Sequence, residues 1–454
     1  MKIETERFKA KAEQALGDAA LQEALSRACG HIGRMRSKAF QEFPDGERLR
    51  DQAHWIKAGV MDHLESYLKQ LTQSAAALGI TVYRAETAAD GRRYIEDLIR
   101  SRGIETVVKS KSMTTEEIGL NQSLEKAGIQ VWETDLGEFI VQLAGESPSH
   151  IIAPAIHKTQ EEIADLISRS LGVPRYETPE ALTQVAREFL RKKYFQAGMG
   201  ISGANFALAR TGTLVILENE GNARMCTTFP KIHVAVMGIE KVIPGLGELQ
   251  VFLKLLARSA TGQKMPTYVS LLNGPSRSGE EDGPEEVHLV LLDNGRSKIL
   301  KDPELRASLY CLRCGACLNV CPVYQKIGGH AYGWVYSGPI GATLVPQYLG
   351  LLRAKHLPMA STLCGACASV CPVRIPLPDL LLKLRQRIRE AGGAGLYEKS
   401  LLTFWTSLQT HPSWAKTAFA LARIGSRLSP ALGSKTVPFP KKTFHQWWQD
   451  ENPD

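Results

Sequence analysis

Seven of the nine cysteines in this 454-residue chain lie between residues 311 and 371, in two nearly identical motifs. The first motif is YCLRCGACLNVCPV, residues 310–323, and the second is STLCGACASVCPV, residues 361–373. Clustered thiols in a chain that shows no export signal are typical of metal ligands rather than of disulfides. The repeat constrains the fold most strongly, because two short loops must bring their thiols to common metal centres.

The spacing within the first motif predicts iron–sulfur clusters. Two-residue spacers let three thiolates converge on one cluster, while a fourth cysteine, followed by proline, reaches a neighbouring cluster. Zinc is the alternative, because paired CxxC sequences also form zinc ribbons, but zinc sites do not need the cysteine–proline ending. We therefore expect two clusters whose ligands are exchanged between the motifs.

Cross-ligation predicts which cysteines hold each cluster, and it leaves the second set one thiol short. Ser361 stands where Cys311 stands in the first motif. Ligation by the Ser361 oxygen, a [3Fe–4S] cluster, a distant thiol (Cys226 or Cys29), and a solvent or substrate atom are four open explanations. The simplest interpretation is a three-cysteine [4Fe–4S] set in a plain electron relay. The predicted ligands are Cys311, Cys314, Cys317 and Cys371 for the first [4Fe–4S] cluster, and Cys321, Cys364 and Cys367 for the second.

Hydrophobic periodicity divides the rest of the chain. Residues 1–75 carry apolar side chains at helical spacing, which predicts a helical N-terminal segment. In residues 76–298, short β-branched runs such as ITVYRA, HIIAPAI and KIHVAVMG alternate with helical stretches, which predicts an α/β domain with a largely parallel sheet. Residues 299–392 are expected to form a helical, ferredoxin-type two-cluster domain, and residues 393–454 a mostly helical, basic C-terminal extension.

Positive charge is concentrated at the C-terminal end. Residues 350–454 carry 14 lysines and arginines against 6 acidic residues, which accounts for the whole net charge of +8. Such a tail favours nucleic acid, an anionic membrane surface or an acidic protein as partner, but no nucleic-acid motif accompanies it. We expect a protein partner or peripheral membrane contact, no nucleic acid and, from the hydropathy, no transmembrane span.

Polar residues at the ends of predicted strands are candidates for binding an anionic ligand, because ligands of open α/β sheets bind at the carboxyl ends of strands. The alternative interpretation is that these residues cap helices or lie in solvated loops. No Walker sequence, dinucleotide fingerprint or Ser-His-Asp arrangement is present, so the catalytic residues are unknown and no cofactor beyond the clusters is expected. The candidates are Lys109, Lys111, Ser112, Glu116, Asn121, Thr211, Gly212, Thr213, Glu218, Glu220 and Asn222.

Several longer stretches carry a family resemblance. They include KSKSMTTEEIGLN (109–121), GANFALARTGTLVILENEGNARMCTTFPKIHVAVMGIEK (203–241), the first cysteine motif continued to residue 342, and TVPFPKKTFHQWW (436–448). Together they resemble the lactate-utilisation iron–sulfur proteins of the LutB type, over nearly the whole chain. Arg210 is a departure, because that family usually has an acidic residue at this position.

The resemblance implies a cytoplasmic iron–sulfur subunit that relays electrons through two clusters while companion subunits take part in oxidising L-lactate to pyruvate, with the quinone pool as a candidate acceptor. It also implies a LUD-type domain similar in fold to ribose-phosphate isomerase and CoA-transferase domains, and a second cluster with three cysteines. Alternatives are an oxidoreductase that binds the 2-hydroxy acid in its own α/β domain, or a subunit of a heterodisulfide-reductase-like or glycolate-oxidising complex. The lack of a flavin or nicotinamide motif favours an electron-transfer subunit over a self-sufficient enzyme.

Overall fold

The computed structural model describes residues 3–393, 396–411, 414, 417–418, 421, 442 and 444–451. The chain divides into two compact units, Met1–Ala391 and Gly392–Asp454. No helix in the described residues is long and apolar enough to cross a membrane. Residues 436–441, where the resemblance to a C-terminal extension begins, lie outside the described residues.

The N-terminal part of the first unit is helical, as its amphipathic periodicity predicts. Asp18 caps the second helix by accepting a hydrogen bond from the Leu21 N–H at 2.9 Å. The same helix buries Leu25 and Cys29 on its inner side. The helices are α1 (Phe8–Leu16), α2 (Ala19–Gln41), α3 (Gly46–Asp62) and α4 (Leu64–Ala77), after a 3-10 turn at Thr5–Arg7.

A six-stranded sheet forms the centre of the first unit, in the order β1-β10-β7-β4-β2-β3, and every pair in it is parallel. The predicted α/β class is therefore confirmed. Strand β7 is buried at every position because helices cover both faces of the sheet. The strands are β1 (Ile80–Ala85), β2 (Thr106–Lys109), β3 (Gln130–Glu133), β4 (Met199–Gly203), β7 (Ile232–Gly238) and β10 (Glu286–Leu292).

A smaller four-stranded sheet lies beside the large one, in the order β8-β5-β6-β9 with mixed pairing. The strand periodicity predicts one largely parallel sheet, so this second sheet is an addition to the prediction. Two of its strands are too short to give a periodic signal. The strands are β5 (Phe206–Leu208), β6 (Leu214–Glu218), β8 (Val242–Ile243) and β9 (Tyr268–Leu272).

One predicted strand is wrong, because HIIAPAI at residues 150–156 forms turns. The Nδ1 atom of His150 accepts the N–H groups of Ile152 at 3.1 Å and Ala153 at 3.3 Å, which folds the backbone back on itself. Pro154 has no N–H to donate to a neighbouring strand. The apolar run instead lies against the first cysteine loop, where Ile152 is close to Gly315.

Short helices between the strands complete the α/β part. Thr87 and Thr159 each accept the N–H of the residue three positions on and so form capping boxes. The helices are α5 (Ala88–Ser101), α6 (Met113–Glu117), α7 (Leu120–Lys126), α8 (Leu136–Leu143), α9 (Gln160–Leu171), α10 (Pro179–Gln196), α11 (Asn222–Thr228), α12 (Leu246–Thr261) and α13 (Arg296–Leu300), with a 3-10 turn at Ile239–Lys241.

The cysteine motifs lie in short helices and turns after α13, as a ferredoxin-type domain requires. Each motif contains one four-residue helix, α14 (Ala316–Asn319) or α17 (Ala366–Ser369), which begins directly after a glycine with left-handed backbone. The other helices are α15 (Tyr324–Ile327), α16 (Gly338–Leu349) and α18 (Leu377–Glu390), with 3-10 turns at Arg306–Tyr310 and His330–Tyr332.

The second unit is helical in its described residues, in agreement with the prediction for the C-terminal extension. The helices in its described residues include α19 (Leu396–Thr410) and α20 (Phe444–Glu451). Several large apolar side chains in these helices are exposed, among them Phe404, Trp405 and Trp448.

Candidate metal centre

The four thiols predicted for the first cluster surround one apolar pocket, which also contacts Ile340, Val373 and Ile375. Burial, together with the charge of the nearby Cys311, raises the pKa of Cys314 to about 12 and that of Cys371 to about 11. Thiolates packed this closely repel one another, and a metal ion that replaces their protons removes that cost. The donor set of four thiols therefore fits a [4Fe–4S] cluster.

The N-terminal helices hold the second motif in place, a role that the sequence does not predict for them. Arg50 of α3 donates two hydrogen bonds to the Cys371 carbonyl, at 3.1 and 2.9 Å, and one to the Ser369 carbonyl at 2.6 Å. Arg36 of α2 donates to the Val370 carbonyl at 3.1 Å. These contacts fix the backbone of Cys371, so its thiol faces the thiols of the first motif.

The two motifs have the same backbone conformation at the point where their sequences differ. Arg313 and Leu363, two positions after Cys311 and Ser361, both have left-handed backbone, with φ of 61° and 55°. In the first motif the Arg313 N–H donates to Cys311 Sγ at 3.4 Å. In the second motif the Leu363 N–H donates to Ser361 Oγ at 3.1 Å. The serine oxygen therefore occupies the local position of the missing thiol.

The three cysteines predicted for the second cluster also lie near one another. Burial raises the pKa of Cys367 to about 11, and the charges of Cys321 and Cys364 contribute to the same effect. Cys364 is exposed, whereas Cys321 and Cys367 are buried. The second set is thus more open to solvent than the first.

The two remaining cysteines lie in different surroundings. Cys226 is fully buried in α11, with its sulfur 3.4 Å from Thr134 Oγ1, and it packs with Val108 of the large sheet. Cys29 is fully buried in α2, and burial followed by the charge of Cys321 raises its pKa to about 11. Of these two, Cys29 therefore remains the candidate for a distant ligand, and Cys226 does not.

A loop of the α/β domain at residues 147–153 attaches that domain to the cysteine motifs. The Tyr324 hydroxyl donates to the Ser149 carbonyl at 2.8 Å, and His150 Nε2 lies 3.1 Å from Asn319 Oδ1. A side chain at Gly329 would meet the Ser149 carbonyl oxygen at 1.7 Å, so only glycine permits this approach. His330 Nε2 contacts the Ser147 carbonyl at 2.7 Å.

A network of buried charges lies between the large sheet and the first cysteine loop. Arg296 pairs with Glu117 at 2.8 Å and with Glu240 at 2.6 Å, and all three side chains are at most 1% exposed. The second oxygen of Glu240 lies 3.5 Å from Arg313 of the first motif, and the Tyr336 hydroxyl donates to Glu117 at 2.6 Å. This network cannot be predicted from the sequence, because no local sequence pattern distinguishes its members from charged surface residues.

A cavity of about 260 Å³ lies next to this network, between the carboxyl ends of β4 and β6 and the first cysteine loop. Among the predicted ligand-binding residues, Lys111, Ser112, Glu218, Glu220 and Asn222 line it. Residues that the sequence analysis does not propose also line it, including Asp135, Lys241, Leu312, Arg313 and Cys314. The strand ends and the first cluster's loop therefore share one cavity.

Three other predicted residues, Lys109, Glu116 and Asn121, form a separate buried group with Glu133. Lys109 Nζ lies 2.7 Å from Glu133 Oε1 and 3.3 Å from Glu116 Oε1, and Asn121 donates to Glu133 at 2.6 Å. Burial raises the pKa of Glu133, and the Lys109 ammonium opposes that shift. This group is a buried ion-pair network in which one ammonium faces two carboxylates.

Thr211, Gly212 and Thr213 lie at the opposite end of β6 from Glu218. Gly212 has φ of 74°, and a side chain there would meet the Ala75 backbone nitrogen at 2.6 Å. Thr213 Oγ1 donates to Asn273 Oδ1 at 2.8 Å. These residues therefore pack a turn against α4 and do not reach the cavity.

Comparisons with known proteins agree with this architecture. The family model described as the LUD domain matches residues 68–292, and the model described as the 4Fe-4S dicluster domain matches residues 307–375. The first covers the α/β part and the second covers both cysteine motifs. The chain therefore carries an iron–sulfur domain of the two-cluster class.

Curated relatives align with nearly the full length of the chain. Lactate utilization protein B of Bacillus velezensis is 43% identical over 467 residues, covering 99% of this chain and 98% of the relative. Lactate utilization protein B of Bacillus subtilis is 44% identical, covering 95% and 89%. The uncharacterized electron transport protein YkgF of Escherichia coli is 45% identical, covering 89% and 85%. This chain belongs to the lactate utilization protein B family, and it is a lactate-utilisation iron–sulfur protein.

Proposed function

We propose that this chain is the iron–sulfur electron-transfer subunit of a multi-protein system that oxidises L-lactate to pyruvate. The names of two relatives, one for lactate utilization and one for electron transport, support this assignment. The main observation in support of this proposal is that the two predicted sets of thiols lie on the two copies of the cysteine motif. When bound, the clusters supply one-electron chemistry, and the chain holds them and shields the first from water.

The proposed ligand sets make the two clusters close neighbours. Cys317 and Cys321, assigned to different clusters, are four residues apart: Cys317 lies in α14, and Cys321 follows two residues after that helix ends at Asn319. The buried Tyr332 supports this proximity, because its pKa is raised by burial and then by the charges of Cys321 and Cys317. Short separation favours electron transfer from one cluster to the other within this chain.

Companion lactate-utilisation subunits are the proposed electron donors, since the motifs for flavin and nicotinamide are missing from this sequence. A quinone-linked carrier is the proposed acceptor, and the cytoplasm is the proposed compartment. Peripheral contact with a membrane would bring the clusters within reach of such a carrier. The basic residues after position 350 are proposed to attract an anionic partner.

The Ser361 hydroxyl is the proposed fourth ligand of the second cluster, beside Cys321, Cys364 and Cys367. Its oxygen accepts the Leu363 N–H as Cys311 Sγ accepts the Arg313 N–H, so the repeated backbone presents it in the same way. Arg385 supports the loop by donating to the Ser361 carbonyl at 2.8 Å. Clusters accept non-thiolate ligands, as histidine-ligated centres demonstrate.

Replacing Ser361 with alanine is expected to convert the second cluster into a three-iron centre, because the fourth iron loses its protein ligand. The anaerobic S361A protein should hold about seven irons and show the paramagnetic signal of an oxidised three-iron cluster, whereas S361C should hold about eight. C29A is the matched control for a distant thiol, and it should leave both clusters intact. An unchanged spectrum in S361A would contradict serine ligation.

The alternative, an oxidoreductase that binds the 2-hydroxy acid in its own α/β domain, is favoured by the cavity beside Cys314. The two functions differ in one measurement. We expect the purified holoprotein to contain two reducible clusters and to oxidise lactate with an artificial dye poorly, because it has no hydride acceptor. Addition of the companion subunits should restore turnover. Rapid oxidation of lactate with reduction of the dye by the isolated, flavin-free chain would contradict the electron-transfer assignment.

A further inference from the structure

One wall of the cavity between the sheet and the first cysteine loop carries hydrogen-bond donors that are not all paired with acceptors. Arg313 is 8% exposed, and no hydrogen-bond acceptor among the described residues reaches either of its terminal nitrogens. The nearest carboxylate oxygen is Glu240 Oε1, at 3.5 Å and without a hydrogen bond to Arg313, while the other oxygen of Glu240 pairs with Arg296 at 2.6 Å. A buried guanidinium with free N–H groups is costly unless an acceptor meets it.

Lys241 adds a second incompletely satisfied cation to the same cavity wall. Its ammonium donates to the Ala204 carbonyl at 3.2 Å, which uses one of its three N–H groups. Burial and the neighbouring Arg313 lower its pKa to about 8, although Glu240 opposes the shift. A negative ligand beside Lys241 would relieve both unfavourable effects.

The carboxylates of the opposite wall are already used by the fold. Glu218 accepts the N–H groups of Ala223 and Arg224 at 2.7 and 2.8 Å, so both of its oxygens hold the start of α11. Glu220 accepts the Leu136 N–H at 3.1 Å. These two acidic residues that line the cavity therefore anchor the first turns of helices.

Asp135 and Lys111, which also line the cavity, satisfy each other. Asp135 accepts the Glu138 N–H at 3.1 Å, and its second oxygen lies 3.6 Å from Lys111 Nζ. Lys111 also donates to the Ile152 carbonyl at 3.0 Å. The hydrogen-bond donors in the cavity that lack a full set of acceptors are thus those of Arg313 and Lys241.

We infer that this cavity binds a small 2-hydroxy or 2-oxo monocarboxylate, with its carboxylate held by Arg313 and Lys241. The choice of this acid class rests on the proposed function, whereas the preference for an anion rests on the unmatched donors. A guanidinium offers a carboxylate two parallel hydrogen bonds. The apolar lining residues Ile216 and Leu256 suit the short carbon chain of such an acid.

The position of the bound acid would couple it to the first cluster. Arg313 lies between two of that cluster's ligands in sequence, Cys311 and Cys314, and Cys314 itself lines the cavity. A carboxylate at this distance makes the addition of an electron to the cluster less favourable. Binding is therefore expected to lower the midpoint potential of the first cluster.

Equilibrium dialysis of the anaerobic holoprotein against labelled L-lactate and pyruvate tests the inference. The wild type should bind one molecule per chain saturably, and K241Q should weaken binding by about tenfold or more, since it removes a charge-assisted hydrogen bond. K241R should restore binding. K264Q is the matched control, because Lys264 is 74% exposed and lies outside the cavity. Iron content must be the same in all four proteins.

A second measurement, the midpoint potential of the first cluster, distinguishes the effect of a bound acid from the effect of removing a positive charge near the cluster. Saturating lactate should lower the midpoint potential of the first cluster in the wild type but not in K241Q. The absence of saturable binding of both acids by the wild type, or unchanged binding by K241Q, would overturn the inference. A holoprotein that binds lactate but accepts no electrons from companion subunits would leave this inference standing and overturn the proposed function.

Discussion

Replacing Cys371 with alanine is expected to remove the first [4Fe–4S] cluster, even though this residue belongs to the second motif. The pocket around Cys371 contains no substitute ligand, because its remaining lining residues are apolar apart from the cation Arg313. As for S361A, three thiolates can hold at most a three-iron centre, so the anaerobic C371A protein should lose the reduced [4Fe–4S] signal of the first cluster and hold no more than about seven irons instead of about eight. Iron analysis together with electron paramagnetic resonance of the reduced protein measures this loss.

C226A is the matched control for C371A. Cys226 is equally a buried cysteine, but its sulfur contacts Thr134 and packs with Val108 of the large sheet. The control should retain both clusters and both signals. Retention of the first cluster's signal in C371A would contradict the exchange of ligands between the motifs.

Replacing Arg296 with methionine is expected to lower the free energy of unfolding by about 3–5 kcal/mol, the cost of leaving buried charges without a partner. Arg296 is the common partner of Glu117 and Glu240, which are both fully buried. Methionine fills much of the same volume but cannot neutralise either carboxylate. Urea-induced unfolding, followed by circular dichroism under anaerobic conditions, measures the change.

R102M provides the comparison for R296M. Arg102 also pairs with a carboxylate through two hydrogen bonds, to Glu286 at 2.9 and 3.0 Å, but its side chain is 46% exposed. Water screens such a pair, so its loss should destabilise the protein far less than the loss of Arg296. Equal destabilisation by R296M and R102M would show that the buried network is not a major source of stability.

The sequence predicts most of the large sheet because its strands are apolar runs bounded by helical segments. Strands β1, β2, β3, β7 and β10 follow this pattern. The pattern does not identify strand β4, MGISG, because two of its five residues are glycines. The wrong strand at HIIAPAI has the correct composition, but hydrogen bonds from the backbone to His150 and the missing N–H of Pro154 outweigh it.

One part of the candidate site could be predicted from the sequence and another part could not. Cysteine spacing identifies the metal ligands because it is local and chemically specific. The cavity depends on contacts between residues that are distant in sequence, such as Lys241 and Arg313, and no local pattern predicts that they meet. Lys109 has the position expected of a ligand-binding residue, at the end of a strand. Its side chain, however, is buried with Glu116 and Glu133.

Iron and acid-labile sulfide per chain, measured in anaerobically purified protein, test the two-cluster account most directly. Two cubane clusters built on the duplicated motifs predict about eight irons and about eight sulfides per chain. A colourless protein with zinc as its tightly bound metal, or a single cluster with about four irons, would contradict the account.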